Sequence, residues 1–239
     1  MMEIIRKKLL QVVKKNAFSN DSVEITAKTL SSEEALGNPE HDDYPLLNGR
    51  ERLMEASFQT SKGVAFSDMF GNFKSSLGEI LNMELKNNFR RAIFVATANA
   101  VLRELNFVEK TRHCRSEDLT LCAGELCAFI RKNFGNPKIF LCGLQPRFAE
   151  ALSAEFKIRI TDMDAANLGK EFNGIKVGKT DKTDEYMNWC DLIFATGSTF
   201  VNGTAGSLIK SKKQIVFYGV TGAGPCFLLG LKRYCPRGM

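Results

Sequence analysis

The chain has 239 residues, 44% hydrophobic and 25% charged, a balance that suits a soluble globular fold of one large domain or two modest ones. Its formal net charge of +6 is scattered in small knots, as at Arg6-Lys7-Lys8 and Arg90-Arg91, without the basic stripe and interleaved aromatics of a nucleic-acid binder. Charges break the apolar runs of "MMEIIRKKLLQVVKK", which does not read as a signal peptide, and "AIFVATANAVL" and "GVTGAGPCFLLGL" are too short to span a bilayer, so neither nucleic acid nor membrane is an expected partner.

Residues 3–15 place Ile4, Ile5, Leu9, Val12 and Val13 near helical spacing, an amphipathic helix. "SVEITAKTLS" alternates Val23, Ile25 and Ala27 with Glu24, Thr26 and Lys28, the period of a half-exposed strand. "SEEALGNPEHDDYPLLNGRER" is rich in acids, Pro, Gly and Asn and reads as a long surface loop, with His41 in solvent. "SKGVAFSDMFGN" reads as a short strand with glycine turns. "SSLGEILNMEL" and "NNFRRAIFVATANAVLREL" read as helices, the second with Phe89, Ile93, Ala96 and Ala100 on an inward stripe. Residues 1–112 are therefore expected to be an α+β lobe.

From residue 113 the pattern changes. "SEDLTLCAGELCAFIRKNFG" reads as one helix, followed by short apolar strands at "PKIFLCG", "KIRITDMD", "DLIFATG" and "QIVFYG" that alternate with helical segments. Continuous apolar strands separated by helices predict a parallel sheet covered on both faces, a Rossmann-like three-layer domain over residues 113–239. The fold class is thus α/β.

In such sheets ligands bind beyond the carboxyl ends of the strands. Those ends place Gly143, Asp162 with Asp164, the stretch Thr196, Gly197, Ser198, Thr199 and Asn202, and the glycines of "YGVTGAGP" at the expected site. "CGLQPRF" lacks the glycines of a dinucleotide fingerprint, so ordinary NAD binding is not expected. Asp162 stands where a carboxylate would meet ribose hydroxyls, although a strand-end aspartate is equally ordinary. An N-cap accounts for Ser198 or Thr199 but not for Thr196, Asn202 and Thr204 as well; free N–H groups and hydroxyls there would hold a carboxylate, phosphate or ribose.

Seven cysteines, an odd number in a chain long enough to bury a core, read as reduced cytoplasmic thiols. "TRHCRSEDLTLCAGELC" offers His113 and Cys114 as soft metal ligands, although no C-x-x-C occurs and buried cysteines commonly serve as core residues.

"RRAIFVATANAVL", "CGLQPRFAEAL", "DLIFATGSTFVNGT" and "FYGVTGAGPCFLLGL" together resemble a family of heavy-metal chelation proteins long classed as a domain of unknown function. The resemblance covers most of the chain from about Gly63. It implies an N-terminal lobe similar to the capping domain of enolase, a Rossmann-like C-terminal domain, and a site between them at Gly143, Asp162, Thr196, Gly197, Ser198, Thr199 and Asn202. It also brings Asn99 into question, as a cleft residue or a helix-packing amide. The functions it implies are metal handling through a transition-metal ion or metal complex, or binding of a cofactor such as S-adenosylmethionine or a nucleotide. Whether the protein catalyses a reaction or is an interaction protein stays open, and its first helix and strand are surfaces able to pair with a second copy.

Overall fold

The computed structural model describes residues 1–16, 24–38, 41–44, 47 and 50–239. Val23 of the expected alternation, and Pro39, Glu40, Pro45, Leu46, Asn48 and Gly49 of the expected loop, lie outside the described residues.

The first helix, α1 (Met2–Lys15), buries Ile5, Leu9 and Val13, one residue per turn, and leaves Ile4 exposed. Four strands form an antiparallel sheet: β1 (Glu24–Thr29), β2 (Arg52–Phe58), β3 (Ser61–Ser67) and β4 (Phe73–Ser76), in the order β3-β2-β1-β4. Strand β2 has no counterpart among the expected elements, because Glu55 interrupts its apolar run. That carboxylate is nevertheless buried, and it is paired with Lys62 Nζ at 2.9 Å and Arg112 Nε at 3.4 Å. The expected long loop is partly ordered differently. A capping box between Ser31 and Glu34 starts a short helix, α2 (Ser32–Leu36), and Leu36 and Tyr44 are buried. His41 is half-buried, not in open solvent, with Arg147 Nη1 3.5 Å from its Nε2.

Two helices follow, α3 (Leu77–Asn82) and α4 (Asn88–Glu104). Every residue of α4 from Ala92 to Leu102 is buried, so the expected inward stripe extends around the whole helix. The helix achieves this by lying between β2–β3 on one side and the C-terminal half of the chain on the other. Its small residues permit close approach: a Cβ on Gly63 of β3 would stand 2.3 Å from Ala100 N and 2.5 Å from Ala96 O.

The expected single helix over residues 116–135 is two, α5 (Asp118–Gly124) and α6 (Leu126–Phe134), separated at Glu125. Then come β5 (Ile139–Cys142), α7 (Pro146–Glu155), β6 (Ile158–Thr161), a hairpin of β7 (Glu171–Phe172) and β8 (Ile175–Gly178), α8 (Thr183–Trp189), β9 (Leu192–Thr196), α9 (Thr199–Asn202), α10 (Ala205–Lys210), β10 (Gln214–Tyr218), α11 (Ala223–Leu229) and β11 (Lys232–Tyr234). The sheet order is β11-β10-β9-β5-β6-β8-β7, parallel throughout except for β7. One face carries Phe140, Ile193, Ala195 and Phe217 into a core shared with α1, α4, β2 and β3. The other carries Leu141, Ile160, Phe194 and Val216 against Leu126, Ile130, Phe148 and Leu152 of α6 and α7. A mostly parallel sheet buried on both faces is the α/β architecture expected. No helix among the described residues is long and apolar enough to cross a membrane.

Candidate functional site

Successive connections leave β5 toward β6 and β8 on one side, and return to β9, β10 and β11 on the other. The reversal between β5 and β9 opens a crevice at their carboxyl ends, where such sheets receive ligands. A cavity of about 680 Å³ lies there, lined also by residues of the N-terminal half. Gly143, Asp162, Thr196, Gly197, Ser198, Thr199 and Asn202 all line it, and so do His113 and Cys114. Asn99 does not. It is fully buried, its Nδ2 donating to the carbonyls of Val64, Val220 and Thr221 and its Oδ1 accepting from Gly224 N, so it is a packing amide.

Local bonding separates the lining groups that are occupied from those that are free. Gly143 has φ 92°, and a Cβ there would stand 2.6 Å from Thr196 Cγ2, so this glycine lets the ends of β5 and β9 close on each other. The Tyr218 hydroxyl donates to Gly143 O at 2.8 Å and fixes the same turn. Gly197 is likewise held against Gly222, whose N would lie 2.5 Å from an added Cβ. Asp162 accepts from Leu144 N at 2.6 Å and Asn167 Nδ2 at 3.2 Å, and from Asp164 N at 2.7 Å, so its carboxylate ties together two strand-end loops.

The hydroxyl-rich stretch divides similarly. Thr199 Oγ1 donates to Thr196 O at 2.6 Å, and Asn202 Oδ1 accepts from Thr204 N and Oγ1. Ser198 occupies the N-cap of α9, but its side chain makes no capping bond. Instead its Oγ lies 3.2 Å from Thr196 Oγ1. Two hydroxyls therefore meet at the lining, and Thr196 is also hydrogen-bonded to the Tyr218 hydroxyl.

His113 Nδ1 donates to Cys114 O at 2.7 Å, which fixes the tautomer, and burial pushes the imidazole pKa down. The ring is therefore neutral at pH 7, with its Nε2 lone pair unprotonated. Cys114 Sγ lies 3.9 Å from Nδ1, and burial with neighbouring Cys235 pushes that thiol up to about 12. Cys142 in the same cavity is also pushed up to about 12 by burial. These are protonated thiols at rest. Among the described residues no group of three or more His, Cys, Asp or Glu side chains stands at coordinating spacing.

Several lining residues were not visible in the sequence as site residues, among them Glu51, Asp68, Asp181 and Asp184. Glu51, inside the segment read as surface loop, reaches the cavity, and its carboxyl is pushed up to about 7, first by burial and then by Asp162, Asp68 and Asp164. No pattern of residue types around "NGRER" signals this; the neighbours that perturb Glu51 come from other strands.

The model of the family DUF364, described as "Putative heavy-metal chelation", matches residues 128–228. The chain is similar in fold to a crystal structure of a DUF364 protein of unknown function from Pyrococcus horikoshii, with TM-score 0.59 and 18% identity over 95% of this chain and 82% of that one. A second DUF364 protein of unknown function, from Desulfitobacterium hafniense, gives TM-score 0.49 and 14% identity over 75% of this chain and 73% of that one. No curated protein matches the chain.

Proposed function

With residues 128–228 matching DUF364, we propose that the protein handles a heavy metal as a small, positively charged complex held in the strand-end cavity. The observation that carries this reading is the size and charge of the lining. Glu51, Asp68, Asp162, Asp164, Asp181 and Asp184 face a space of about 680 Å³, and Arg50 is the one lining arginine among the described residues. Cavities of about 300–1,000 Å³ are those of organic ligands, far larger than a bare ion needs. A metal entering with its own ligands requires no preformed cage of side chains, only opposite charge, hydrogen-bond partners and room. The Thr196–Ser198 hydroxyl pair supplies such partners.

The same charge favours a second reading over a phosphate-bearing nucleotide. S-adenosylmethionine carries a sulfonium and an ammonium group, whereas phosphates would meet like charge across the cavity.

Equilibrium dialysis followed by elemental analysis tests the proposal. The probes are tris(ethylenediamine)cobalt(III), which cannot surrender its metal, the bare zinc and nickel ions, and S-adenosylmethionine. Stoichiometric retention of the complex, with bare ions washing out, is the expected result. Tight stoichiometric binding of a bare ion and none of the complex would overturn it, and retention of S-adenosylmethionine alone would install the second reading.

A further inference from the structure

Glu51 and Glu55 are four residues apart; Glu55 is buried and Glu51 half-buried. Glu55 has two cationic partners, Lys62 and Arg112. Among the described residues Glu51 has none, and no donor among them reaches its carboxylate. Its surroundings are anionic. Asp162 and Asp164 face it from the end of β6, Asp68 from the end of β3, and the Tyr218 phenol lies within electrostatic reach at the end of β10. Arg50, its chain neighbour, is exposed.

The three aspartates differ from Glu51 in being held by the protein. Asp162 accepts from Leu144 N, Asp164 N and the Asn167 amide. Asp164 Oδ1 accepts from Ala166 N at 3.0 Å, and Asp68 Oδ1 from Asn88 Nδ2 at 2.6 Å. These three carboxylates are therefore held in place, whereas Glu51 is the one half-buried lining carboxyl without a partner among the described residues; Asp181 and Asp184, which also line the cavity, are exposed. An unpaired carboxylate in such a place is costly, and a cation brought in by a ligand is what removes the cost.

We propose that Glu51 is the cation-recognition residue of this cavity, pairing with the positively charged part of whatever ligand enters. The assignment rests on the cavity reading above but extends it to one residue and one ligand class, cations. At neutral pH Glu51 is partly protonated in the empty cavity. Binding then proceeds as carboxylic acid plus cation giving the carboxylate–cation pair, with the proton released to solvent. No electron transfer and no other bond change is involved. Affinity accordingly rises with pH up to about 7 and levels off above it.

Isothermal titration calorimetry of the intact chain tests this, at pH 7 in two buffers of different ionisation heat. The probes are tris(ethylenediamine)cobalt(III) and, separately, tetraethylammonium, a cation without metal. The wild-type protein is expected to bind the complex with release of about half a proton. Glu51→Gln, which keeps shape and removes the charge, is expected to bind about 10- to 100-fold more weakly and to release no proton. A thermal melt of the variant establishes that it is folded. Equal affinity and equal proton release in wild type and Glu51→Gln would overturn the assignment and leave the cavity reading standing. Glu51-dependent binding of tetraethylammonium without binding of the complex would overturn the metal reading and keep the assignment. Binding of neither cation by the wild type would overturn both.

Discussion

Asn99 Oδ1 accepts a hydrogen bond from Gly224 N at 2.6 Å, joining the helix packed on the antiparallel sheet to the first turn of α11. The same amide donates to Val64 O on β3 and to the carbonyls of Val220 and Thr221, so one side chain holds three segments that meet behind the cavity. Asn99→Ala leaves three buried carbonyls and one N–H without this partner. The expected loss is about 3–5 kcal/mol, read as a fall in the urea midpoint. A loss below about 1 kcal/mol would mean that water replaces the amide there.

Glu51 makes stability depend on pH in a direction opposite to most carboxylates. Its folded pKa, about 7, lies above the ordinary carboxyl value. The folded state therefore holds the proton more tightly than the unfolded chain. This favours folding below the unfolded pKa, and the advantage is lost as pH rises through about 7. Glu51→Gln cannot ionise. It should raise the melting temperature at pH 8 by several degrees, about 1–3 kcal/mol, and change it little at pH 5. An equal effect at both pH values would show that Glu51 does not carry the perturbed proton.

The sequence displayed the parallel sheet and the strand-end residues because both rest on local signals. Apolar strands such as "DLIFATG" are read from a few consecutive residues, and a ligand crevice at their carboxyl ends follows from chain direction. β2 was hidden because Glu55 reads as polar until Lys62 and Arg112 are placed beside it. Glu51 was hidden for the same reason: the aspartates that act on it are far away in sequence. Asp162 and Gly143 were placed at the right end of the sheet. Their bonding and packing, however, depend on partners that chain order does not display, Leu144 and Asn167 for one and Thr196 for the other.

Asp162 illustrates how a lining residue can mislead a binding assay. Its carboxylate bridges the loop after β5 to the turn after β6. Asp162→Ala should lower stability by about 2–4 kcal/mol with no ligand present, because three N–H donors lose their acceptor. Loss of ligand binding in that variant then reports on loop order as much as on contact. Circular dichroism melts of the ligand-free variant separate the two; an unchanged melt would return Asp162 to the role of a direct ligand contact.

The thiols should be slow to react in the native protein. Cys114, Cys142 and Cys226 are each pushed up to about 12 by burial, so the thiolate that attacks an alkylating agent is scarce at pH 7.5. With iodoacetamide they should be modified about a thousandfold more slowly than a free thiol, and at the ordinary rate once the chain is unfolded. Peptide mass spectrometry over an hour reads this directly. Rapid native modification of Cys114 would indicate a reactive thiolate beside His113, and with it a thiol site for soft metals.

The closure of β5 on β9 can be tested by a pair of substitutions. Gly143→Ala introduces a Cβ 2.6 Å from Thr196 Cγ2 and 3.3 Å from the Tyr218 hydroxyl, at a backbone φ of 92° that side chains rarely adopt. The expected cost is about 2–4 kcal/mol. Thr196→Ser removes Cγ2 while keeping the hydroxyl that pairs with Ser198. Combined with Gly143→Ala it should recover about 1 kcal/mol, the steric share, and leave the backbone share in place. Denaturant midpoints of the two single variants and the double variant form the cycle. Strict additivity would mean that the two strand ends do not press on each other, and the crevice would then be wider at its base than the contact between Gly143 and Thr196 requires.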